Sequence, residues 1–321
     1  MEKILSFDTA RVISMFYIIG ILHLSGYTGK SIAENEICVS VIWSTLGVFT
    51  FISAYLLGSR YNFSSISEIM VFYKKRLLRF YPLFLISSLA LVAIGFNSWD
   101  VTWKGLLGIS PFWKPQQQTL WYIATLMFMY LITPALGNGK LGRKVIIILG
   151  ILVLAFSIEC IFHTVDSRFY YYFLIYAIGV VAAKHFPNSS LRILSSKYVF
   201  FVIIIIYVAV LSIMLKEKEM RLLMLLNGYI GTLLILNLSS LLVKYNYFLG
   251  GKIVPFISYG SMCAYLFHRE LYWCFLQIYT PRSSVLIWLY LFFVAFPVIL
   301  IASYYIQKII SVPLKWDELN N

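Results

Sequence analysis

The sequence predicts an all-α, polytopic membrane helix bundle of about ten transmembrane helices, with both termini in the cytoplasm. Hydrophobic residues make up 61% of the 321-residue chain, charged residues only 12%, and the mean hydropathy is +0.84. A chain of this length has too little polar surface to cover a soluble globule. Two further observations support the prediction: long apolar segments recur along the chain, and the basic residues are unevenly distributed among the connections.

Ten apolar runs are long enough to cross a hydrocarbon core of roughly 30 Å. An even number of spans puts both termini on one side, and most of the 26 lysines and arginines fall on that side, which is therefore cytoplasmic. The net charge of +13 reflects this topology and contact with the lipid bilayer, so no nucleic-acid partner is expected. A single transmembrane domain over 1–321, with no soluble domain, follows. The predicted spans are 9–29, 38–59, 80–96, 119–137, 145–162, 169–186, 198–215, 222–243, 253–279 and 284–310.

The first span, "FDTARVISMFYIIGILHLSGY", carries Asp8 and Arg11 near its start and His23 deep in its apolar run. An ionisable side chain in a span costs at least a few kcal/mol unless it is paired or faces water, so each is a functional hypothesis. Arg11 is close enough to the cytoplasmic end to extend its guanidinium to the interface. His23 lies about 21 Å beyond the start of the span, past the bilayer centre. It is a candidate for chemistry, and the alternative is a neutral, hydrogen-bonded packing residue.

The second polar cluster, "SSISEIMVFYKKRLLRFYP", follows the second span. Ser65 and Glu68 form a capping box, and the apolar residues that follow recur at helical spacing. The pattern predicts an amphipathic helix in the membrane interface, ending where Pro82 turns the chain into the third span. Arg76 and Arg79 are three residues apart on one flank, where both guanidinium groups can bind one phosphate. The alternative role is an anchor for lipid headgroups.

The third cluster, "ISYGSMCAYLFHRELYW", places His268, Arg269 and Glu270 consecutively in the ninth span. Successive residues are about 100° apart around a helix, so the three side chains cannot share one direction. At least two of them should point into a protein-lined or aqueous interior. Charge compensation for other helices is the structural alternative to a catalytic role.

These segments together resemble the acyltransferase 3 family of integral membrane acyltransferases, which modify surface polysaccharides. The first helix has the family's acidic residue, arginine and histidine, and the late helix has its Ser-Tyr start and Leu-Phe-His core. "TLGVFTFISAYLLGSR" is similar to the second helix, with a serine at Ser53. "TLWYIATLMFMYLITP" resembles the helix that opens with Trp and an aromatic residue and closes with Pro. The Arg-x-x-Arg motif followed by Tyr-Pro is present at Arg76, Arg79, Tyr81 and Pro82.

Two departures from the family pattern stand out. In relatives, ten residues often lie between the arginine and the histidine of the first helix, which places both within roughly 20° of one helix face. Here eleven residues lie between Arg11 and His23, and in a straight helix this places the histidine about 120° away from the arginine. Either Arg11 and His23 do not share a face, or the helix contains a π-bulge between them, which we predict near Gly20. The second departure is Arg269, which follows His268 where many relatives have an apolar residue and proline.

The resemblance implies transfer of an acyl group, expected to be acetyl, from cytoplasmic acyl-CoA to a hydroxyl of a cell-surface or envelope polysaccharide. It implies His23 as general base or covalent relay, with Asp8 and Arg11 in the catalytic site, and an acyl-CoA site at Arg76, Arg79 and Tyr81. No bound cofactor and no metal site are expected. The implied partners are acyl-CoA, a glycan acceptor and other polysaccharide synthesis proteins, and the implied location is the inner (plasma) membrane. The alternatives are a lipid-linked glycan flippase and a non-catalytic subunit of a polysaccharide synthesis complex. Further channel candidates are Ser53, Trp121, Tyr122, Tyr265, His268, Arg269 and Glu270.

Overall fold

The computed structural model describes residues 4–29, 35–216, 221–245 and 251–319. Within these ranges the regular secondary structure is helical, as predicted. Two of the helices contain π-helical segments, named π1 and π2. In chain order the elements are α1 Leu5–Met15, π1 Phe16–His23, α2 Glu36–Arg60, α3 Ile66–Ala93, α4 Trp99–Leu106, a 3-10 turn Ser110–Phe112, α5 Trp121–Gly137, α6 Leu141–Phe162, α7 Ser167–His185, α8 Pro187–Leu194, α9 Lys197–Lys216, α10 Arg221–Lys244, α11 Ile253–Ile278, α12 Ser284–Tyr290, π2 Leu291–Ala295 and α13 Phe296–Leu319.

Each predicted span corresponds to helix in the described part of the chain. Among the described residues, seven helices are long and apolar enough to cross a membrane by length and composition. Three predicted spans lie outside that group: α5 is apolar but has only 17 residues, and α7 and α11 carry more polar side chains. A multi-pass membrane protein is therefore supported, whereas the number of ten crossings and the cytoplasmic termini stay predictions. The seven helices are Leu5–His23, Ile37–Arg60, Ile66–Ala93, Leu141–Phe162, Lys197–Lys216, Leu222–Lys244 and Ser284–Ser311.

The predicted distortion of the first helix is confirmed. The chain leaves the α-helical conformation after Met15 and is π-helical from Phe16 to His23, with Gly20 inside the segment. A Cβ atom at Gly20 would lie 3.3 Å from the rings of Phe292 and Phe296, so glycine permits a close approach of π1 to the last long helix. Phe292 belongs to π2, and the two π-helical segments therefore pack against each other.

The predicted turn at Pro82 is wrong. α3 continues through Pro82 as a single 28-residue helix, so the amphipathic start and the third span are one element. A proline removes one backbone N–H donor and clashes with the carbonyl of residue i−4. Membrane helices nevertheless tolerate proline, because neighbouring groups form hydrogen bonds with the backbone carbonyl that the proline leaves free. The capping box is confirmed in one direction, because Ser65 Oγ accepts the N–H of Glu68 at 3.2 Å. The Glu68 carboxylate instead accepts the N–H groups of Asn62 and Ser64.

The described residues cluster into two compact units. The first unit comprises described residues of 1–49 and 188–309, and the second comprises those of 50–187 and 310–321. In the first unit, α1 and π1 pack against α11, α1 also packs against α10, and α10 pairs with α9. The first helix and α11 run in the same direction, because Asp8 contacts Ser258 near the start of α11 and His23 contacts His268 ten residues further along it.

The second unit is built around α5 and α7, with α3, α4 and α6 beside them. The second half of α2 lies close to α7, because a Cβ at Gly179 would be 2.7 Å from Cβ of Ala54 and a Cβ at Gly58 would be 3.1 Å from Cβ of Ala183. Small residues at such crossings let helix backbones approach closely, which is how membrane helices gain packing energy without a hydrophobic driving force.

Candidate active site

Two histidines meet in the interior of the first unit. Nδ1 of His23, the last residue of π1, lies 2.7 Å from Nε2 of His268 on α11. The ring planes are within 4° of each other, and the nitrogens meet edge to edge. His268 is completely buried, while His23 is half-buried. A hydrogen bond between the two imidazoles thus joins two of the clusters identified from the sequence.

The hydrogen-bond network assigns an order to the protons of this pair. Nδ1 of His268 lies 2.8 Å from the carbonyl oxygen of Tyr265 and 3.2 Å from that of Ala264, and a carbonyl oxygen can only accept. Nδ1 of a neutral His268 therefore carries the proton, and its Nε2 accepts. His23 must then donate from its own Nδ1, which leaves the lone pair of a neutral His23 on Nε2. The backbone of α11 thereby selects the tautomer of His23.

Arg269 lies beside the histidine pair. Its Nη1 is 3.5 Å from the carbonyl oxygen of His23, and its guanidinium carbon lies 5.6 Å from the ring centre of Tyr27. The Tyr27 hydroxyl donates to the carbonyl oxygen of Arg269 at 3.1 Å. The expectation that at least two of the three consecutive ionisable residues face the interior is confirmed, because His268 and Glu270 are buried and Arg269 is half-buried. A positive charge therefore lies next to the peptide group of His23.

Tyr272 and Tyr265 complete the contacts of π1 with α11. The Tyr272 hydroxyl donates to the carbonyl oxygen of Ile19 at 3.2 Å. A widened helical turn changes which carbonyls are satisfied within the helix, and this side chain satisfies one of them. The buried Tyr265 ring lies 6.5 Å from the His23 ring and 5.9 Å from the His268 ring, measured between centres. The tyrosines hold π1 in register with α11.

Asp8 and Arg11 lie one turn apart near the start of α1. Arg11 Nη1 is 3.7 Å from Oδ1 of Asp8, and the same carboxylate oxygen accepts the hydroxyl of the buried Ser258 at 2.6 Å. Both ionisable residues are half-buried. The sequence did not single out Ser258 as a partner of Asp8, although the family's Ser-Tyr motif at the start of α11 contains it.

The second unit holds the other predicted channel residues, and there the pairs are hydroxyl pairs. Ser53 Oγ lies 2.8 Å from the hydroxyl of Tyr130, and the hydroxyl of Tyr122 lies 3.0 Å from Oγ1 of Thr50. Either oxygen of each pair can donate. Tyr130 was not among the residues predicted from the sequence. It lies eight residues after Tyr122 in the same helix, and this spacing was the pattern that could have indicated it.

Trp121 lies under a cation in the second unit. The guanidinium carbon of Arg168 is 3.8 Å from the centre of its ring. Arg168 also donates through Nε to Asp166 at 2.9 Å and through Nη2 to Gln116 at 2.8 Å. The face of Trp121 that Arg168 covers is therefore used within the fold, which favours a structural role for this residue.

The predicted acyl-CoA residues lie on α3. Arg76, Arg79 and Tyr81 are all half-buried. The guanidinium carbon of Arg76 is 5.9 Å from the ring centre of Phe72, and its buried Nε has no hydrogen-bond partner among the described residues. A buried guanidinium N–H of this kind is suited to an anionic ligand.

The predicted site residues thus fall into two groups. The first unit brings together Asp8 with Arg11, and His23 with Tyr265, His268, Arg269 and the adjoining Glu270, whereas Ser53, Arg76, Arg79, Tyr81, Trp121 and Tyr122 belong to the second unit. Within the described ranges, no group of three or more His, Cys, Asp or Glu side chains is arranged to hold a metal ion.

Comparison with known proteins addresses the chain as a whole. A family model for an acyltransferase domain matches residues 4–308, nearly the full length. No curated protein and no solved structure gives a significant match. The matched range contains the His23–His268 pair and, in the described part of the chain, every helix long and apolar enough to cross a membrane, apart from the last few residues of the final one. The chain belongs to the acyltransferase 3 family and is a membrane acyltransferase.

Proposed function

We propose that this protein is an acetyl-CoA-dependent O-acetyltransferase of the inner (plasma) membrane that modifies a hydroxyl of a cell-surface or envelope polysaccharide. The observation that carries the proposal is the His23–His268 pair in a chain of an acyltransferase family. A histidine whose tautomer is fixed by a buried partner and a backbone carbonyl is suited to repeated proton transfer. The whole chain acts as a single transmembrane domain with no bound cofactor.

The lone pair of His23 Nε2 is the base in this proposal. It takes the proton of the acceptor hydroxyl as that oxygen attacks the thioester carbonyl, the C–S bond breaks, and the CoA thiolate receives the proton in return. In a second route the same lone pair attacks the thioester carbonyl, the C–S bond breaks to release the CoA thiolate, and His23 carries the acetyl group as an acyl-imidazole; the acceptor hydroxyl then takes the acetyl group, and its proton goes to the thiolate. Arg269, next to the peptide group of His23, supplies positive charge where a tetrahedral oxyanion forms.

Donor binding is assigned to Arg76 and Arg79. The two guanidinium groups are one helical turn apart, and the buried Nε of Arg76 has no partner in the described part of the chain. Arginine binds phosphate oxygens through parallel N–H groups, so this pair suits the diphosphate of coenzyme A. Asp8 and Arg11 hold the start of α1 against α11 through Ser258 and keep π1 in place.

The test is acetylation of cell-surface glycans, measured by mass spectrometry in cells that express each variant. His23→Ala should lower acetylation about 10²- to 10⁴-fold, the usual contribution of a general base, and Arg76→Ala should raise the KM for acetyl-CoA. His163→Asn, an exposed histidine with φ 54° that asparagine can adopt, is the control. The proposal fails if His23→Ala and Arg76→Ala both leave acetylation intact.

Two rival functions predict different results from the same cells. A lipid-linked glycan flippase would move glycan without acetyl-CoA and would leave its acetylation unchanged when the gene is deleted. A non-catalytic subunit would tolerate loss of His23 as long as the helix surfaces stay intact.

A labelling experiment distinguishes the general-base route from the acyl-imidazole route. Acetyl-CoA that is radiolabelled in its acetyl group is mixed with the protein without acceptor, and only the acyl-imidazole route labels the protein at His23.

A further inference from the structure

Lys144 is a buried cation that the proposed acyl transfer does not use. It lies in the first turn of α6, and only 1% of its surface is exposed. Among the described residues, no hydrogen-bond acceptor and no carboxylate pairs with its ammonium group. Burial of an uncompensated charge costs several kcal/mol, so such a lysine points to a ligand that supplies the missing negative charge.

The residues near Lys144 add positive charge to its surroundings. Lys184, near the end of α7, and His185 beside it both interact electrostatically with Lys144. Lys184 donates to the carbonyl oxygen of Tyr61 at 2.7 Å and to Oδ1 of Asn62 at 3.0 Å, which fixes its position. Glu68 also interacts with Lys184, but its carboxylate accepts the N–H groups of residues 62 and 64. Two lysines therefore lie close enough to repel each other electrostatically, and the acidic group nearby is engaged in the fold.

The start of α6 adds backbone donors to this cluster. In the sequence 137–144, "GNGKLGRK", Gly139 has φ 83° and immediately precedes the N-cap residue Lys140, whose side chain makes no capping hydrogen bond. The first N–H groups of a 22-residue helix thus lack a capping side chain, and the helix dipole favours an anion there. Asn138 donates to the carbonyl oxygen of Phe63 at 3.0 Å, so this loop packs on the segment that holds Lys184.

We propose that Lys144, Lys184 and the N-terminal N–H groups of α6 form a phosphate-binding site, separate from the Arg76–Arg79 pair. Lysine ammonium groups and helix N-termini recognise a compact, multiply charged oxyanion, which a phosphate monoester matches. The three segments, at 61–64, 137–144 and 184–185, lie at or just beyond the ends of the second, fourth and sixth predicted spans, on the predicted cytoplasmic side. The phosphate belongs either to the 3′ position of coenzyme A or to an anionic lipid headgroup, and the first source rests on the proposed function.

The experiment compares the wild-type chain with the variant Lys144→Gln. The control variant is Lys197→Gln, which removes the same charge from an exposed lysine. Binding of CoA and of 3′-dephospho-CoA is measured by calorimetry in phosphatidylcholine nanodiscs. If the 3′-phosphate occupies the site, Lys144→Gln weakens CoA binding by roughly 10- to 100-fold, leaves 3′-dephospho-CoA binding unchanged, and the control matches the wild type.

The second arm replaces phosphatidylcholine by phosphatidic acid and follows thermal unfolding. If a lipid headgroup occupies the site, phosphatidic acid raises the unfolding temperature of the wild type and of Lys197→Gln but not of Lys144→Gln. Without phosphate, Lys144→Met should unfold at or above the wild-type temperature, because it removes an uncompensated charge. A lower temperature for this variant, or no effect of Lys144→Gln in either arm, overturns the site. A chain that binds no CoA at all would contradict the proposed function, while the lipid arm would still test the phosphate site.

Discussion

The two units bury polar groups among their helices in different ways. In the first unit two imidazoles share one hydrogen bond, and the carbonyl of Tyr265 determines which nitrogen holds each proton. In the second unit the pairs are hydroxyls, Ser53 with Tyr130 and Thr133 with Tyr176, the latter at 2.6 Å. A hydroxyl both donates and accepts, so either oxygen of the Ser53–Tyr130 pair can donate, whereas Thr133 donates to the carbonyl oxygen of Met129 at 2.9 Å and accepts from Tyr176.

Under the proposed function, this difference separates a catalytic pair in the first unit from packing pairs in the second. The ordered histidine pair ends in a lone pair at Nε2 of His23, which is what a base requires. The hydroxyl pairs join neighbouring helices, Ser53 on α2 to Tyr130 on α5 and Thr133 on α5 to Tyr176 on α7, as in specific helix association in a membrane. Substitutions in the first unit should therefore change turnover, and matched substitutions in the second should change stability.

The largest effect is expected at His268. His268→Leu leaves the Nδ1–H of His23 without its acceptor and should lower turnover about 100-fold by releasing the tautomer. His268→Gln places an amide oxygen near the former Nε2 and should stay within about tenfold of the wild type. The measurement is acetyl transfer by purified variants at saturating donor. Equal activity of the leucine and glutamine variants would remove the positioning role from His268.

A smaller effect is expected from the packing of π1. Gly20→Leu places a branched side chain where even a Cβ meets two phenylalanine rings at 3.3 Å, and such overpacking costs about 1–3 kcal/mol. We expect a lower unfolding temperature together with lower turnover, since π1 carries His23. Gly150→Leu in α6 is the matched control, because a Cβ there meets nothing within 4 Å. A stable and fully active Gly20→Leu protein would show that the π-helical turn is not needed to hold His23.

The smallest effect is expected at the hydroxyl pair of the second unit. Ser53→Ala and Tyr130→Phe should each lower the free energy of unfolding by about 0.5–1.5 kcal/mol and leave turnover within a few-fold of the wild type. The double variant should lose less than the sum, since both single changes break the same bond. A turnover loss at Ser53→Ala as large as that of His268→Leu would place this serine in the chemistry.

The features that could be predicted from the sequence depend on the lengths of apolar segments and on the spacing of residues within one helix. Apolar run length located the helices, and the spacing of Arg11 and His23, one residue longer than is common in the family that the chain resembles, predicted the π-helical turn around Gly20. The partners of these residues depend on contacts between distant parts of the chain. Asp8 and Ser258 are 250 residues apart, and no local pattern joins them.

Pro82 shows that a local rule can also give a wrong prediction. Proline is a reliable helix terminator in water, where a broken helix exposes its backbone to solvent at little cost. In a membrane the broken ends would need other partners, so the helix continues and only one hydrogen bond is lost. The solvent thus changes the meaning of a residue whose local stereochemistry is unchanged.

The π-helical turn between Met15 and Leu24 also bears on how length changes arise in this family. An extra residue in a straight helix would rotate everything beyond it by about 100° and separate Tyr272 and Arg269 from the backbone groups they contact. A π-turn absorbs that residue where it enters, so an insertion can be inherited without repacking the outer half of the helix. An alignment with relatives whose arginine and histidine are one residue closer should therefore place its gap within 16–23, and not in a loop.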